Sequence, residues 1–358
     1  MEILSPGEAL FVRQRIMSGM RCDGRELLEL RPVSVEIDVL KNCLASSRIR
    51  IGSRGEGTEV LVGLKGETYR VPKKKDEERT LQTIYPPVEV SVNFLPGVEA
   101  AILTPSMRVQ TLDSRYTELS GIENNTLPFG SSQQSIDGVV SDVSISADTA
   151  PGISSTSSTQ DVETMLQSHF NAIFNSDRVN RSEDKKGPLA IDEMDCEWKL
   201  FADVVVVEYA GSLIEATSMG IYASLSTLRL PVPVINPEEK NNTEEEEGES
   251  FILSPFARVD HIPISVSCFV MNSDKGTHSD PLIYIDADTK EEACASAKLL
   301  YSTAQNGEIY YAEKVHGDGC VSLKTFSVAR RVSREKAQIL ASKINQALHQ
   351  RTGEGSTH

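Results

Sequence analysis

Residues 201–235 combine a strand, a turn and a helix, and this stretch constrains the fold more than any other. Residues 204–207 are four consecutive valines. An unbroken β-branched run is typical of a central strand buried on both faces. Gly211-Ser212 predicts a tight turn, and residues 214–228 carry apolar or small residues at helical spacing. Small residues let a helix lie close against a sheet, so the sequence predicts a helix packed on the central strand.

The turn at Gly211 and Ser212 is a candidate anion site. The first N–H groups of a helix have no partner within the helix, and they point outwards at its N-terminus. Phosphates and carboxylates bind there in many proteins. Whether this turn binds an anion is therefore the main functional question that the sequence raises.

Composition limits the classes of protein that this chain can belong to. The 358 residues include 36 Lys and Arg against 52 Asp and Glu, a net charge of −16. This balance argues against a protein that binds nucleic acid through one large basic face, although a local basic patch is compatible with it.

Six scattered cysteines without a C-x-x-C pair indicate neither a zinc site nor a disulfide framework. We predict no secretory signal and no membrane span, and hence a reducing compartment, the cytosol or the nucleus.

Local patterns predict further elements in the first half. Ser5, Pro6 and Glu8 form a helix start with a capping box. Alternation predicts strands at 33–39 and 88–94, and 47–51 with 59–66 predicts a hairpin. The apolar period at 161–175 predicts a helix, which contains no Lys or Arg.

Three segments are predicted to lie outside the core. Residues 70–82 carry charges of both signs and predict a solvated loop. Residues 105–160 are rich in Ser, Thr, Asn and Gly and predict a flexible insertion. The glutamates of residues 236–250 predict a linker and the best domain boundary.

The second half predicts strands at 262–269 and 282–285, then a capping box over Thr289–Glu292 that starts a short helix. A hairpin is predicted from 298–303 and 308–315 around Gln305-Asn306-Gly307. Residues 333–350 predict a long amphipathic helix.

Sequence spacing alone yields no catalytic set. The histidines are isolated, which favours packing or surface roles over a general base or a ligand. Residues 52–57 are rich in glycine but join two strands, so a hairpin loop is predicted and not a phosphate cradle. Asp286 and Asp288 suggest either a metal pair or a strand end followed by a helix cap, and we favour the second.

Several motifs, taken in order, resemble one protein family. They are Arg21-Cys-Asp-Gly-Arg25, Ala45-Ser-Ser-Arg-Ile-Arg-Ile-Gly52, Trp198-x-Leu-x-x-Asp203-Val-Val-Val-Val-Glu208 and Asp286-Ala-Asp-Thr-Lys-Glu-Glu-Ala-Cys294. Together they resemble the RNase PH family, and within it one type of ring subunit of the RNA exosome. The similarity covers about residues 8–100 and 160–350.

The resemblance implies an α+β, RNase PH-like fold with two mixed β/α subdomains. The first would be a ribosomal protein S5 domain 2-like domain, and the second an RNase PH second domain. We accordingly expect an N-terminal helix at 1–20, a first domain at 21–235, an acidic linker at 236–257 and a second domain at 258–351.

Active members of the family cleave the 3′ end of RNA by phosphorolysis. The resemblance implies that this chain lacks the phosphate-binding arginine and the two aspartates of that reaction. A Ser/Thr-Arg pair at the strand–helix turn binds phosphate in the family, and here the turn reads Ser212-Leu213. Two aspartates six residues apart serve the leaving oxygen, and here they align with Glu292 and Lys298. We therefore expect Ser212, Leu213, Glu292 and Lys298 to be a degenerate site, with Glu292 explained by its capping box.

The resemblance implies a non-catalytic structural subunit of the exosome core ring, without cofactor or metal, that supports 3′–5′ RNA processing and degradation. Implied partners are other RNase PH-like ring subunits, cap subunits with RNA-binding domains, a hydrolytic nuclease subunit and single-stranded RNA in the channel, with no membrane. The implied localisation is the nucleus and nucleolus, and also the cytoplasm. Lys65, Arg108 and Arg115 are candidate RNA contacts. The alternative is an active phosphate-dependent 3′–5′ exoribonuclease, alone or in a composite site with a ring partner.

Overall fold

The structure is a computed structural model that describes residues 4–70, 88–98, 159–174, 189–191, 196–233, 251–255, 259–272, 280–317 and 321–354. The elements before the main turn are α1 (Pro6–Met17), β1 (Val33–Ile37), β2 (Ala45–Ile51), β3 (Thr58–Arg70), β4 (Val88–Phe94), α2 (Thr159–Phe174), β5 (Ala190–Ile191) and β6 (Cys196–Glu208). Those after it are α3 (Leu213–Thr227), β7 (Arg229–Pro233), β8 (Phe251–Pro255), a 3-10 turn (Val259–His261), β9 (Pro263–Met271), β10 (Leu282–Ile285), α4 (Thr289–Cys294), β11 (Ala297–Ala304), β12 (Ile309–His316) and α5 (Leu323–Glu354).

Helix α1 begins where the sequence predicts. The Ser5 hydroxyl accepts from the Glu8 backbone N–H, and the Glu8 carboxylate accepts from the Ser5 N–H. These two bonds satisfy N–H groups that a helix start leaves without partners. The predicted capping box is confirmed.

The first sheet has the strand order β1-β2-β3-β6-β4, with β5 also pairing with β6. Strand β4 runs parallel to β6, and the other pairs are antiparallel. The central position predicted for the valine strand is confirmed, but its burial on both faces is wrong. Val204 and Val206 are fully buried, whereas Val205 and Val207 are half-buried. Val204 and Val206 belong to the apolar core that includes α3, whereas Val205 and Val207 alternate onto the opposite face of the strand.

The second sheet has the order β10-β9-β11-β12 and is antiparallel throughout. The predicted hairpin between β11 and β12 is confirmed. Gly307 closes its turn with a backbone φ of 84°, a value that glycine adopts without strain, and its N–H donates to the Ala304 carbonyl. The hairpin over 47–51 and 59–66 is confirmed in the first sheet by β2 and β3.

Helix α3 lies between the two sheets. Every residue from Leu213 to Leu225 is buried, so the helix packs on all sides and not on one stripe as the sequence indicates. It contacts β2 and β3 of the first sheet, β9 of the second, and α5. One apolar core therefore runs from the first sheet through α3 to the second sheet.

Helix α5 is longer than the predicted 333–350 and begins at Leu323. The predicted inward residues Ala337, Leu340 and Ile344 are buried, and the helix packs on β9 and β11. Five of its first ten residues are polar or basic. Among their apolar residues only Ala329 and Val332 are buried, with Phe326 and Val328 half-buried, so the apolar pattern at the start is weaker than over 333–350.

Several predicted segments lie outside the described residues: most of the charged loop at 70–82, the insertion at 105–160 except for its end, and the acidic linker at 236–250. The predicted domain boundaries stay predictions. Within the described residues, no helix is long and apolar enough to cross a membrane.

The close approach of α3 to the first sheet generates a test at Gly220. A Cβ at Gly220 would lie 2.6 Å from Val62 Cγ2, a methyl on a side chain that rotates little about its first bond. We expect Gly220→Ala to destabilise the protein by about 1–3 kcal/mol, although alanine normally stabilises a helix by about 1 kcal/mol over glycine. Urea unfolding followed by circular dichroism measures the change.

The matched control is Gly7→Ala in α1, where a Cβ would meet nothing within 4 Å. We expect this variant to be as stable as the wild type or more so. Equal stability of Gly220→Ala and wild type would contradict the close packing of α3 on β3.

Candidate functional site: the strand–helix turn

The turn between β6 and α3 is held in an unusual backbone conformation. Gly211 has a φ of 90° and Ser212 a φ of 56°, so both lie in the left-handed region. A Cβ at Gly211 would lie 2.2 Å from the carbonyl oxygen of Ala287. Only glycine fits there, because the turn presses against the segment that follows β10.

A carboxylate of the protein itself occupies the anion position of this turn. The Ser212 N–H donates to Glu292 Oε1 at 2.9 Å, and the Tyr209 hydroxyl donates to Glu292 Oε2 at 3.2 Å. The surroundings of Tyr209 desolvate its hydroxyl, and the Glu292 charge acts in the same direction, so its pKa is raised well above 10 and it stays a donor. The turn thus keeps the geometry of an anion site, and Glu292 is the anion.

The two remaining positions of the predicted degenerate site differ in their surroundings. Lys298 Nζ lies 3.8 Å from Glu292 Oε1 and 5.1 Å from the centre of the Phe269 ring. Leu213 is 7% exposed and belongs to the apolar core. The structure therefore brings Ser212, Glu292 and Lys298 together, while Leu213 contributes only packing.

The predicted capping box at α4 is shifted by one residue. The cap is Asp288, whose carboxylate accepts from the Glu291 N–H, and the Glu291 carboxylate accepts from the Asp288 N–H. Thr289 is the first residue of the helix. The capping role assigned to Glu292 is wrong, because the side chain one position earlier performs it and leaves Glu292 facing the turn.

Glu291 also forms a buried ion pair that local patterns cannot reveal. Its carboxylate accepts from Arg21, which is 0% exposed and also donates to the carbonyls of Ile285 and Asp286 at 2.7 and 2.8 Å. The turn of residues 21–25 is therefore partly a core element, and Arg21 joins it to the end of β10.

Asp286 is the centre of the network beneath the turn. Its carboxylate is 4% exposed and accepts from the Arg31 guanidinium, the Arg31 N–H and the Arg25 guanidinium. The Ser212 hydroxyl also donates to it at 3.0 Å. The Ser212 side chain is thus engaged within the protein and does not face an external anion.

The favoured interpretation of Asp286 and Asp288 is confirmed, since one ends a strand and pairs with arginines and the other caps a helix. Within the described residues, no three His, Cys, Asp or Glu side chains are grouped as metal ligands.

Glu215 adds a second buried carboxylate near the turn. Its Oε1 accepts from the Ser267 N–H at 2.6 Å, and its Oε2 has no hydrogen-bond partner among the described residues. Burial raises the pKa of Glu215, while the Lys298 charge opposes that shift. Lys298 therefore lies within the electrostatic reach of both Glu215 and Glu292.

The chain is similar to proteins whose names share one description. No protein-family model matches it. A Dictyostelium discoideum protein named "Putative exosome complex exonuclease RRP42" is 23% identical over 330 residues, 89% of this chain and 90% of the relative. The exosome complex component Rrp42 of Methanopyrus kandleri is 21% identical over 84% of this chain and 81% of the relative.

Two solved structures share the fold. A chain of an archaeal exosome core gives a TM-score of 0.55 at 15% identity, with 94% of this chain and 96% of that chain covered. A chain of the Archaeoglobus fulgidus exosome with RNA bound to the active site gives 0.54 at 17% identity, with the same coverage.

The fold is RNase PH-like, and the relatives are Rrp42-type exosome components. The type of ring subunit that the sequence motifs resemble is the ribosomal RNA-processing protein 42 type, so the predicted resemblance is confirmed. The predicted α+β fold class is confirmed as well.

In this RNase PH-like fold, Lys65 lies inside β3 and not at its end as the sequence predicts. Its Nζ is 2.7 Å from the Asp203 carboxylate, and both side chains are largely solvent-exposed. An exposed pair of this kind contributes little to stability. Its role in RNA contact stays a prediction, and Arg108 and Arg115 lie outside the described residues.

His169 has the packing role predicted for the isolated histidines. Its ring lies edge-on to Phe170 and Tyr311, and burial lowers its pKa to about 4. A neutral ring is the form that this apolar setting favours.

Asp286→Ala tests the network beneath the turn. It would leave the buried guanidinium of Arg31 without its carboxylate, so we expect a loss of about 3–5 kcal/mol in the free energy of unfolding. Urea unfolding measures it.

The control is Asp280→Ala, which removes an exposed pair with Lys324 at side chains 75% and 72% exposed. We expect this variant to lie within about 0.5 kcal/mol of wild type. A loss of the same size in both variants would show that Asp286 has no special role.

Proposed function

We propose that this chain is a non-catalytic structural subunit of an exosome core ring. In this role it supports 3′–5′ processing and degradation of RNA, including rRNA maturation and mRNA turnover, by scaffolding the RNA channel. The proposal draws on the similarity to Rrp42-type components over most of the chain, together with the RNase PH-like fold.

One observation carries the non-catalytic part of the proposal, namely the bond from the Ser212 N–H to Glu292. A phosphate at this turn would have to displace a carboxylate of the chain. A hydrogen bond to a charged acceptor contributes about 1.5–3 kcal/mol, so the displacement alone would weaken phosphate binding by about one to two orders of magnitude.

The neighbouring side chains offer no compensation for that displacement. Leu213 lies in the apolar core, and a leucine brings neither charge nor hydrogen-bond donors to an oxyanion. Lys298 is a cation, but it already lies beside Glu292 and within reach of Glu215. Glu292 itself already accepts hydrogen bonds from the Ser212 N–H and the Tyr209 hydroxyl, so both of its carboxylate oxygens are engaged within the chain.

The proposed assembly requires other chains. Its partners would be other RNase PH-like ring subunits, cap subunits with RNA-binding domains and a hydrolytic nuclease subunit, with single-stranded RNA in the channel. The proposed localisation is the nucleus and nucleolus, and also the cytoplasm.

The second candidate is an active phosphate-dependent 3′–5′ exoribonuclease. In its favour, the Dictyostelium relative is named as an exonuclease, and one structural neighbour has RNA at an active site. For the chain alone, the filled anion position argues against this candidate. The stronger version of this candidate is a composite site, in which a ring partner supplies the phosphate-binding groups.

A phosphorolysis assay distinguishes the two candidates. The purified chain and a ring reconstituted with its partner subunits would each receive 3′-labelled oligo-RNA, phosphate and magnesium. We expect no nucleoside diphosphate from the isolated chain. Any release by the ring should be abolished by substitutions in a partner's active-site residues.

Release of nucleoside diphosphate by the isolated chain would overturn the non-catalytic proposal. Co-purification tests the assembly separately. We expect a stable complex with several different ring and cap subunits, and recovery of the chain only as a monomer or homo-oligomer would count against the ring.

A further inference from the structure

Helix α5 carries an excess of positive charge that contrasts with the rest of the chain. Its 32 residues include seven Lys and Arg against two Glu, which leaves five positive charges on one helix of a protein whose net charge is −16. The arginines Arg330, Arg331 and Arg334 are all exposed. We call these three side chains the α5 arginine cluster.

The fold explains only part of the α5 arginine cluster, since the Arg334 guanidinium packs over the turn at Gly307. Arg330 and Arg334 are four residues apart, and Arg331 and Arg334 are three apart, so like charges are neighbours at both helical spacings. Such pairs destabilise a helix. Glu335 lies four residues after Arg331 and offsets part of this repulsion, but among the described residues no carboxylate lies within ion-pair distance of the three arginines.

The start of α5 adds to the positive potential. The first turn contains no acidic residue, and Lys324 lies there beside the positive end of the helix dipole. The partner of Lys324 is Asp280, through an exposed pair that solvent screens. The N-terminal half of α5 therefore presents a concentrated cationic surface with unfavourable internal repulsion.

We propose that the α5 arginine cluster binds the phosphate backbone of single-stranded RNA. A polyanion relieves the repulsion among the three guanidinium groups, and each guanidinium offers a planar fork that matches a phosphate. The surface provides backbone attraction without base recognition, because the exposed neighbours Ser327 and Glu335 offer no aromatic ring for stacking.

This inference rests on the proposed function, because an RNA channel is the source of single-stranded RNA. It goes beyond that function in assigning RNA contact to helix α5, far along the sequence from Lys65. An acidic polypeptide is the competing ligand. RNA is chosen because the proposed function brings single-stranded RNA to this chain, and because the guanidinium fork matches a phosphate.

The test measures binding of the full chain to a fluorescent oligoadenylate over a range of salt concentrations. In the variant, Arg330, Arg331 and Arg334 are all replaced by Gln. Each phosphate contact contributes a slope of about 0.7 to the dependence of log K on log salt for single strands, so the slope should fall by about 2. Affinity at low salt should fall at least tenfold.

Two further variants keep the test decisive. Replacement of the same three arginines by Lys preserves the charge, and it should retain most of the salt slope. A triple Lys41→Gln, Arg54→Gln and Lys314→Gln variant removes equal charge from exposed positions elsewhere, and it should bind RNA like the wild type. Circular dichroism confirms that each variant is folded.

Three outcomes would overturn the proposal: no RNA binding by the wild-type chain at low salt, equal losses in both Gln triples, or tighter binding of polyglutamate than of RNA. Because binding is measured on the chain alone, a failed ring assembly and a failed RNA contact give distinguishable results.

Discussion

The buried carboxylate of Asp286 is the interaction on which the site depends. It accepts from Arg25, Arg31 and Ser212, and so joins the N-terminal segment, the strand–helix turn and the end of β10. Removing two or three charges from water is costly, and this cost is recovered only when every partner is well placed. The network therefore fixes how the turn faces the second sheet.

The position of Glu292 follows from that arrangement. Gly211 can approach Ala287 because it has no side chain. Helix α4 then begins at Thr289, and Glu291 and Glu292 lie in its first turn. Glu291 points to Arg21 and Glu292 to the turn. A helix N-terminus that in other proteins binds a ligand is here part of the contact between the two sheets. The bond from the Ser212 N–H to Glu292 thus joins the turn to α4 within the protein.

The elements whose formation depends on local sequence patterns could be predicted from the sequence. The capping box of α1, the central place of β6, the two hairpins and the strand–turn–helix unit all follow from patterns a few residues long. The motifs also identified the family resemblance and the positions Ser212, Leu213, Glu292 and Lys298.

Contacts between residues far apart in the sequence could not be predicted. Arg21 enters the sequence analysis only as part of a family motif, yet it is buried against Glu291, 270 residues away. Glu292 looked like a capping residue because Thr289 is an acceptable cap, whereas Asp288 holds that position in the fold. The full burial of α3 depends on contact with the second sheet, whose strands local patterns predict but whose position beside α3 they do not.

The most direct measurement is the amide resonance of Ser212 in isotope-labelled chain during titration with inorganic phosphate. If Glu292 occupies the anion position, the Ser212 amide should show no saturable shift at millimolar phosphate. A saturating shift of that amide, together with phosphate binding by calorimetry, would contradict the account, because it would show that the turn still accepts an external anion.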